Sequence, residues 1–163
     1  MEALASTVAS NLGVPQRTFR RLVDEGSVRA RRTSSRKAFL DVAERKYLET
    51  HLELISALRA ALRNERGVRF AVLYGSRARG DESVNSDVDL FVDPVDESPR
   101  YLAKLVRRLE DRIGLEVQLV ALGDVAEIPS FLEEVHEDGR VLIDRDRQWP
   151  GFKALLGHQG QQA

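Results

Sequence analysis

Hydrophobic positions at the start of the chain recur at helical spacing, whereas later segments contain runs typical of buried strands. Leu4, Val8 and Leu12 recur every four residues and predict a short amphipathic helix that ends at Gly13. Residues 68–74 form an almost continuous apolar run, the pattern of a strand that is buried on both faces. Further strand and helix patterns alternate after this run, so the chain is expected to be α+β.

A second short helix and a hairpin follow the first helix. Pro15 suits the first turn of this helix, which would bury Phe19 and Leu22 and end at Gly26. Apolar residues then alternate with arginines through residues 27–40, with a Thr-Ser-Ser turn in the middle, which predicts two short strands. Two helices about a glycine turn, the second rich in arginine, are typical of a helix-turn-helix followed by a wing.

The stretch GVPQRTFRRLVDEGSVRARR resembles the winged helix-turn-helix of the MerR and excisionase type. The resemblance implies that residues 1–41 form a DNA-binding domain whose partner is double-stranded DNA. In this interpretation the second helix approaches the groove and the wing meets phosphates. The residues expected to contact DNA are Gln16, Arg17, Arg20, Arg21, Arg29, Arg31, Arg32, Arg36 and Lys37.

A long connecting helix is predicted over residues 42–65. Asp41 and Glu44 have the spacing of a capping box, and leucines and isoleucines then recur at steps of three and four residues. This apolar stripe either packs in the core of the same chain or pairs with the same helix of a second chain. Because helix-turn-helix proteins commonly bind symmetric sites as dimers, a homodimer is expected.

Residues that could bind a phosphate or a metal ion follow the apolar run at residues 68–74. Gly75 permits a sharp turn, and Ser76 offers a hydroxyl and an N–H to a phosphate. Asp87 and Asp89 open the next strand, where residues i and i+2 point to one face. Two carboxylates held so close repel each other unless a hard cation lies between them, and oxygen ligands favour Mg²⁺.

Gly75-Ser76, ten intervening residues and then Asp87-Val88-Asp89 resemble the signature of minimal nucleotidyltransferases in the DNA polymerase beta-like superfamily. The resemblance implies a nucleotidyltransferase domain over residues 66–144, built on a small mixed sheet flanked by helices. It also implies two Mg²⁺ ions held by the Asp pair, with ATP or another nucleoside triphosphate as substrate. Residues expected to bind the nucleotide are Gly75, Ser76, Arg77 and Arg79.

The third carboxylate of this family's site is missing from its usual place. Relatives carry an aspartate within a VDLV-like strand motif, and the matching letters here place Gln118 at that position. A glutamine is uncharged and a poor base. Glu116 lies on the same strand face but is displaced by about 6.6 Å along the strand. Three outcomes stay open: Glu116 serves as the third catalytic carboxylate, catalysis proceeds with two, or the domain binds nucleotide without transferring it.

Composition and charge bear on where the protein is located and on its partners. The 163 residues include no cysteine and no apolar run of membrane-spanning length, so a cytoplasmic location is expected. Residues 1–50 hold 10 Lys/Arg against 6 Asp/Glu, a net charge of +4, while residues 51–163 hold 15 against 20, a net charge of −5. The two halves therefore suit different partners. The polar tail, residues 145–163, is expected to be partly disordered.

Two hypotheses of different class follow from the sequence. In the first, the protein transfers a nucleoside monophosphate, most simply AMP from ATP, to a hydroxyl of a protein or small molecule and carries a DNA-binding head. Small relatives of this kind are often antitoxins, some of which modify a tyrosine of a HEPN-family toxin, so a toxin partner and autoregulation are expected. In the second, a winged-helix transcriptional regulator carries a catalytically inactive nucleotidyltransferase-like domain that senses nucleotide or binds a partner.

Overall fold

A computed structural model describes residues 1–125 and 127–151, which divide into two compact units. The first unit comprises residues 1–55, and the second begins at Ser56. Within the described ranges, no helix combines the length and apolar character needed to cross a membrane. The final residues of the tail, 152–163, lie outside the described residues, and so does most of the segment predicted to be disordered.

The first unit combines helices with a small antiparallel sheet. Its elements, with the helix that continues into the second unit, are β1 (Ala3–Leu4), α1 (Ala5–Leu12), α2 (Gln16–Glu25), β2 (Arg31–Arg32), β3 (Ala38–Leu40) and α3 (Val42–Arg63). The strand order is β1-β3-β2, with both pairings antiparallel. Leu4, which we predicted to lie in the first helix, belongs to β1 instead, because its backbone pairs with Phe39.

Local sequence signals account for the helix boundaries in this unit. The first two helices end at Gly13 and Gly26, as the pattern indicated. Oδ1 of Asp41 accepts a hydrogen bond of 2.8 Å from the backbone N–H of Glu44 and so caps α3. The Glu44 carboxylate in turn accepts a 2.7 Å hydrogen bond from the backbone N–H of Arg29. This contact joins the segment between α2 and β2 to the start of α3.

The second unit is built on a four-stranded sheet. Its further elements are β4 (Val68–Tyr74), α4 (Ser76–Arg79), β5 (Val88–Pro94), α5 (Pro99–Ile113), β6 (Val117–Ala121), α6 (Leu122–Val125), α7 (Pro129–Asp138) and β7 (Arg140–Asp144). The strand order is β6-β5-β4-β7, in which β5 and β6 are parallel and the other pairs antiparallel. The predicted small mixed sheet flanked by helices is therefore confirmed.

One face of this sheet carries an aromatic core. Phe70 and Phe91 pack with their ring centroids 5.6 Å apart, and Trp149 meets Phe70 edge-on at 6.0 Å. Leu132 and Val135 of α7 complete the same cluster. The start of the predicted tail thus packs on the sheet through Trp149, while α7 covers this face next to the carboxyl-terminal end of β4.

Candidate active site

The turn after β4 is shaped by Gly75. Its backbone has φ +75° and ψ −157°, a conformation that residues with a side chain rarely adopt. A Cβ atom built on Gly75 would lie 2.5 Å from Oδ2 of Asp89, closer than real Cβ contacts allow. α4 then begins at Ser76, whose side chain is partly buried beside this turn. The absence of a side chain at Gly75 is therefore needed both for the turn and for the approach of Asp89.

Asp89 and Asp87 lie at the start of β5. Asp89 pairs with Tyr74 of the neighbouring strand, and Asp87 directly precedes β5. Val88 and Leu90, which point to the other face, are fully buried. Burial raises the pKa of the Asp89 carboxyl, and the nearby carboxylates of Asp87 and Glu134 raise this pKa further, while Arg79 lowers it. The site thus places negative charge where it is poorly solvated, a condition that a bound cation relieves.

Arg77 holds the loop that leads into the Asp pair. Its Nε and Nη2 atoms donate hydrogen bonds of 3.0 and 2.8 Å to the carbonyl oxygen of Ser86. The Ser86 hydroxyl also accepts a 3.0 Å hydrogen bond from the backbone N–H of Ser83. Arg77 was predicted to bind nucleotide; in this structure its guanidinium fixes the residue directly before Asp87.

Arg79 lies at the end of α4 among acidic side chains. It donates to Oδ2 of Asp81 at 3.1 Å and to Oδ2 of Asp138 at 2.7 Å, and its Nη1 lies 3.9 Å from Oε1 of Glu134. The hydrogen bonds to Asp138 and Asp81 raise the pKa of Arg79, so the guanidinium stays charged. This second predicted nucleotide-binding arginine therefore joins the Gly75 turn to α7.

β6 brings a neutral side chain to the site. Gln118 is the direct partner of Asp89 in the parallel pairing of β5 and β6, and its side chain is exposed. Glu116 is also exposed and precedes β6, and its backbone carbonyl accepts a 2.8 Å hydrogen bond from the N–H of Val88. The structure thus places an amide beside Asp89, with the Glu116 carboxylate two residues before that level.

α7 brings Glu134 to the site, a residue that was not predicted from the sequence. Phe131 packs edge-on against Tyr74 and Phe91, with ring centroids 5.2 and 5.6 Å away. Glu134 follows Phe131 by three residues and so lies on the same side of α7. Burial raises the pKa of the Tyr74 phenol, and Asp89 and Glu134 raise it further. The Glu134 carboxylate therefore lies within electrostatic reach of both Tyr74 and Asp89.

A buried arginine supports the turn from the opposite side. Arg140 is 1% exposed, and its Nε donates a 2.8 Å hydrogen bond to the carbonyl oxygen of Ala78 in α4. It pairs with Leu73 in the sheet, one residue before Tyr74. No local sequence pattern singled out Arg140, because its contact depends on the pairing of β7 with β4.

The donor set fits a divalent cation that keeps part of its own water shell. Among residues 1–125 and 127–151, no three side chains of the ligating types already converge on one point. Mg²⁺ is commonly held by one or two carboxylates together with substrate phosphates, so a pair such as Asp87 and Asp89 meets that requirement. The missing Cβ of Gly75 gives the Asp89 carboxylate the room it needs beside the turn.

The predicted DNA-contacting residues of the first unit fall into two groups by their contacts, with Arg29 apart from both. Gln16 donates to the carbonyl oxygen of Ser6 at 2.8 Å, so it joins the first two helices. Arg31 forms an ion pair with Glu2, and Arg32 forms one with Asp24. Residues in the second group are exposed and form no ion pair within the part of the chain that the structure describes: Arg17, Arg20, Arg21, Arg36 and Lys37. Arg29 is exposed, and its backbone contacts Glu44.

The mixed sheet, the glycine turn and the paired aspartates define a nucleotidyltransferase domain. Residues 56–148 match the family described as "Polymerase beta, Nucleotidyltransferase". The chain belongs to this family.

Individual relatives agree with this assignment. The chain is 39% identical over 75 residues to protein adenylyltransferase MntA of Thermococcus cleftensis, a match that spans 45% of this chain and 75% of that protein. Among solved structures it is similar to a toxin–antitoxin with AMP-PNP, at 21% identity and a TM-score of 0.55, covering 66% of this chain and 87% of that chain. A toxin–antitoxin MntA–HepT structure is similar at 18% identity and a TM-score of 0.51, covering 68% and 87%. At these identities the structures show a common fold.

Proposed function

We propose that this protein is a Mg²⁺-dependent nucleotidyltransferase that transfers a nucleoside monophosphate, most simply AMP from ATP, to a hydroxyl group. The observation that carries the proposal is the contact between the Gly75 turn and Asp89, where an added Cβ would lie 2.5 Å from the carboxylate. A phosphate-binding turn and a metal-binding carboxylate are thereby in direct contact. Transfer of a phosphoryl-type group depends mainly on such positioning and on charge stabilisation.

Each residue of the site has a role in this proposal. Gly75 and Ser76 bind the triphosphate through the turn at the start of α4. Asp87 and Asp89 would hold two Mg²⁺ ions, whose charge would offset the burial and the repulsion that raise the pKa of Asp89. The chemistry that Mg²⁺ supplies when bound is a lowered pKa of the acceptor hydroxyl and neutralisation of charge on the departing phosphates.

The proposed reaction is a substitution at the α-phosphorus. The acceptor oxygen forms a bond to this phosphorus, and the bond from it to the oxygen bridging to the β-phosphate breaks. Pyrophosphate departs with that electron pair, and the hydroxyl proton is released to solvent. Arg79 lies close enough to the turn to stabilise the added negative charge, and Arg77 keeps Asp87 in place through Ser86.

The acceptor that we propose is a hydroxyl on a partner protein. The MntA relative is by its name a protein adenylyltransferase, and the similar solved structures are toxin–antitoxin complexes. A tyrosine of a HEPN-family toxin is therefore the acceptor class that we expect, with this chain as the antitoxin.

Label transfer from ATP tests the proposal. The purified protein is incubated with Mg²⁺, α-labelled ATP and the product of any adjacent toxin-like reading frame, and the other three nucleoside triphosphates are compared. We expect labelled partner with the wild type and none with Asp87→Ala. Asp111→Ala, which changes an exposed carboxylate on α5, serves as the control and should transfer normally. Equal labelling by wild type and Asp87→Ala would refute the assignment.

A second candidate function has its own supporting observation. Five exposed cations on α2 and the hairpin form no ion pair within the described ranges, as a surface that binds DNA phosphates would require. Together with the neutral Gln118, this favours a winged-helix regulator whose second unit senses nucleotide or binds a partner without transferring a group. In either case we propose that the head binds double-stranded DNA as a homodimer.

A further inference from the structure

The proposed metal site lacks one carboxylate at the level of Asp89. Gln118 pairs directly with Asp89 in the sheet, and an amide offers a cation no charge. Glu116 lies two residues earlier in the chain, before β6 begins, and its side chain is exposed. A third carboxylate would therefore have to reach the pair from outside the sheet.

α7 supplies a side chain in the required place. Phe131 anchors this helix on Tyr74, the residue that pairs with Asp89, and Glu134 follows three residues later on the same side of the helix. Its Oε1 lies 3.9 Å from Nη1 of Arg79, at the end of the turn that begins with Gly75. The packing of Phe131 on Tyr74, the pairing of Tyr74 with Asp89 and the approach of Glu134 to Arg79 together place Glu134 near the edge of the sheet where the Asp pair lies.

Glu134 is free to turn towards a cation. Its contact with Arg79, at 3.9 Å, is longer than a hydrogen bond, whereas Asp138 binds the same guanidinium at 2.7 Å. Arg79 therefore keeps a carboxylate partner if Glu134 moves. The Glu134 side chain is 48% exposed, so rotation meets little packing.

We propose that Glu134 completes the carboxylate set of the metal site, in the role that Gln118 cannot fill. The inference depends on the proposed function, because it assumes that Asp87 and Asp89 bind a divalent cation. It assigns the third ligand to a helix that covers the sheet, whereas the sequence pattern pointed to Glu116 on the strand. Within the described residues the three carboxylates do not form a preassembled metal-binding group, so Glu134 would have to turn towards Asp87 and Asp89.

Manganese binding measures this role without relying on turnover. Mn²⁺ is added to the full chain with a non-hydrolysable ATP analogue, and free Mn²⁺ is followed by electron paramagnetic resonance. Glu134→Gln should weaken Mn²⁺ binding by roughly tenfold or more. Glu133→Gln, an isosteric change at the neighbouring exposed residue of α7, should bind like the wild type. Wild-type affinity in Glu134→Gln, or the loss appearing in Glu116→Gln instead, overturns the inference.

A rescue experiment separates a ligand from a merely structural residue. Because Gln118 pairs with Asp89, Gln118→Asp introduced into Glu134→Gln should restore most of the lost Mn²⁺ affinity. Failure of this rescue would also count against Glu134 as a ligand. If the wild type transfers label and binds Mn²⁺ while Glu134→Gln is unaffected, the inference fails alone. If the wild type binds no Mn²⁺, the proposed function fails with it.

Discussion

Gly75 and Asp89 approach each other so closely that a side chain at position 75 would displace the Asp89 carboxylate. A Cβ there would lie 2.5 Å from Oδ2 of Asp89, and the backbone has φ +75°. Two separate requirements therefore act on one residue, one conformational and one steric. The turn that is proposed to bind phosphates cannot be altered without moving the carboxylate that is proposed to bind metal.

Replacing Gly75 by alanine should impair transfer far more than stability. We expect a loss of about 1–3 kcal/mol in the free energy of unfolding, from the strained backbone. The rate should fall about 100-fold, because Asp89 is displaced. Urea denaturation and label transfer measure the two effects. Gly114→Ala is a matched control, since Gly114 has φ +72° but nothing within 4 Å of an added Cβ. Similar rates for the two variants would contradict the proposed contact.

Gln118→Asp should lower the stability of the metal-free protein but change the rate of transfer little. A third carboxylate beside Asp89 adds repulsion, so the free energy of unfolding should fall by roughly 0.2–1 kcal/mol without metal. With Glu134 already supplying a third ligand, we expect the transfer rate to change little. Thermal unfolding with and without Mg²⁺ and label transfer measure these effects, with the uncharged Gln118→Asn as control. A large gain in rate would mean that the natural site lacks its third carboxylate.

The raised pKa of Asp89 predicts a specific pH dependence of stability. Since the native state holds this proton more tightly than the unfolded state, stability falls as pH rises from the ordinary carboxyl pKa of about 3.9 through the raised value. Asp89→Asn should therefore be more stable than the wild type at pH 7 without metal. The difference should vanish below about pH 4, where Asp89 is neutral. Mg²⁺ should stabilise the wild type and leave the variant unchanged.

Asp96 is a carboxylate whose pKa is shifted in the opposite direction, and it serves as a comparison for Asp89. A hydrogen bond from the backbone N–H of Ser98 lowers the pKa of Asp96, so its contribution to stability is present at neutral pH and is lost on acidification. Asp96→Asn should therefore show no stabilisation at pH 7. Thermal unfolding of both variants across pH 3–8 makes the comparison, and equal behaviour of the two would contradict the assigned burial of Asp89.

The proposed binding of DNA by the head predicts a salt-dependent interaction that depends on α2. Arg20→Ala with Arg21→Ala should weaken binding to a labelled duplex, and the slope of log K against log salt should fall in magnitude by about 2. Fluorescence anisotropy over a salt series measures this slope. Arg100→Ala with Lys104→Ala removes the same charge from the exposed side of α5 and should leave DNA binding intact. Equal losses in both double variants would indicate a non-specific charge effect.

Short-range patterns were enough to predict much of the fold. The apolar run that forms β4 and the alternation at the start of β5 led to the correct strands, because each depends on neighbouring residues in the chain. At the start of α5, Pro99 occupies the first turn and the Ser98 hydroxyl accepts a 3.3 Å hydrogen bond from the backbone N–H of Tyr101, so this boundary also depends on adjacent residues. β6 begins at Val117, and Leu115 and Glu116 lie in the connection between α5 and this strand.

The sequence by itself determined the Gly75 turn and the Asp pair as candidates, since their chemistry is written in adjacent or closely spaced residues. The tertiary structure alone decided that Glu134 and Arg140 approach that turn and that Arg77 binds the carbonyl of Ser86. The contacts of Glu134 and Arg140 join segments distant in the chain and follow from how α7 and β7 pack on β4. Arg77 and Ser86 are only 9 residues apart, and the loop before β5 brings them together. No local periodicity encodes such packing, because it depends on the shapes of both partners at once.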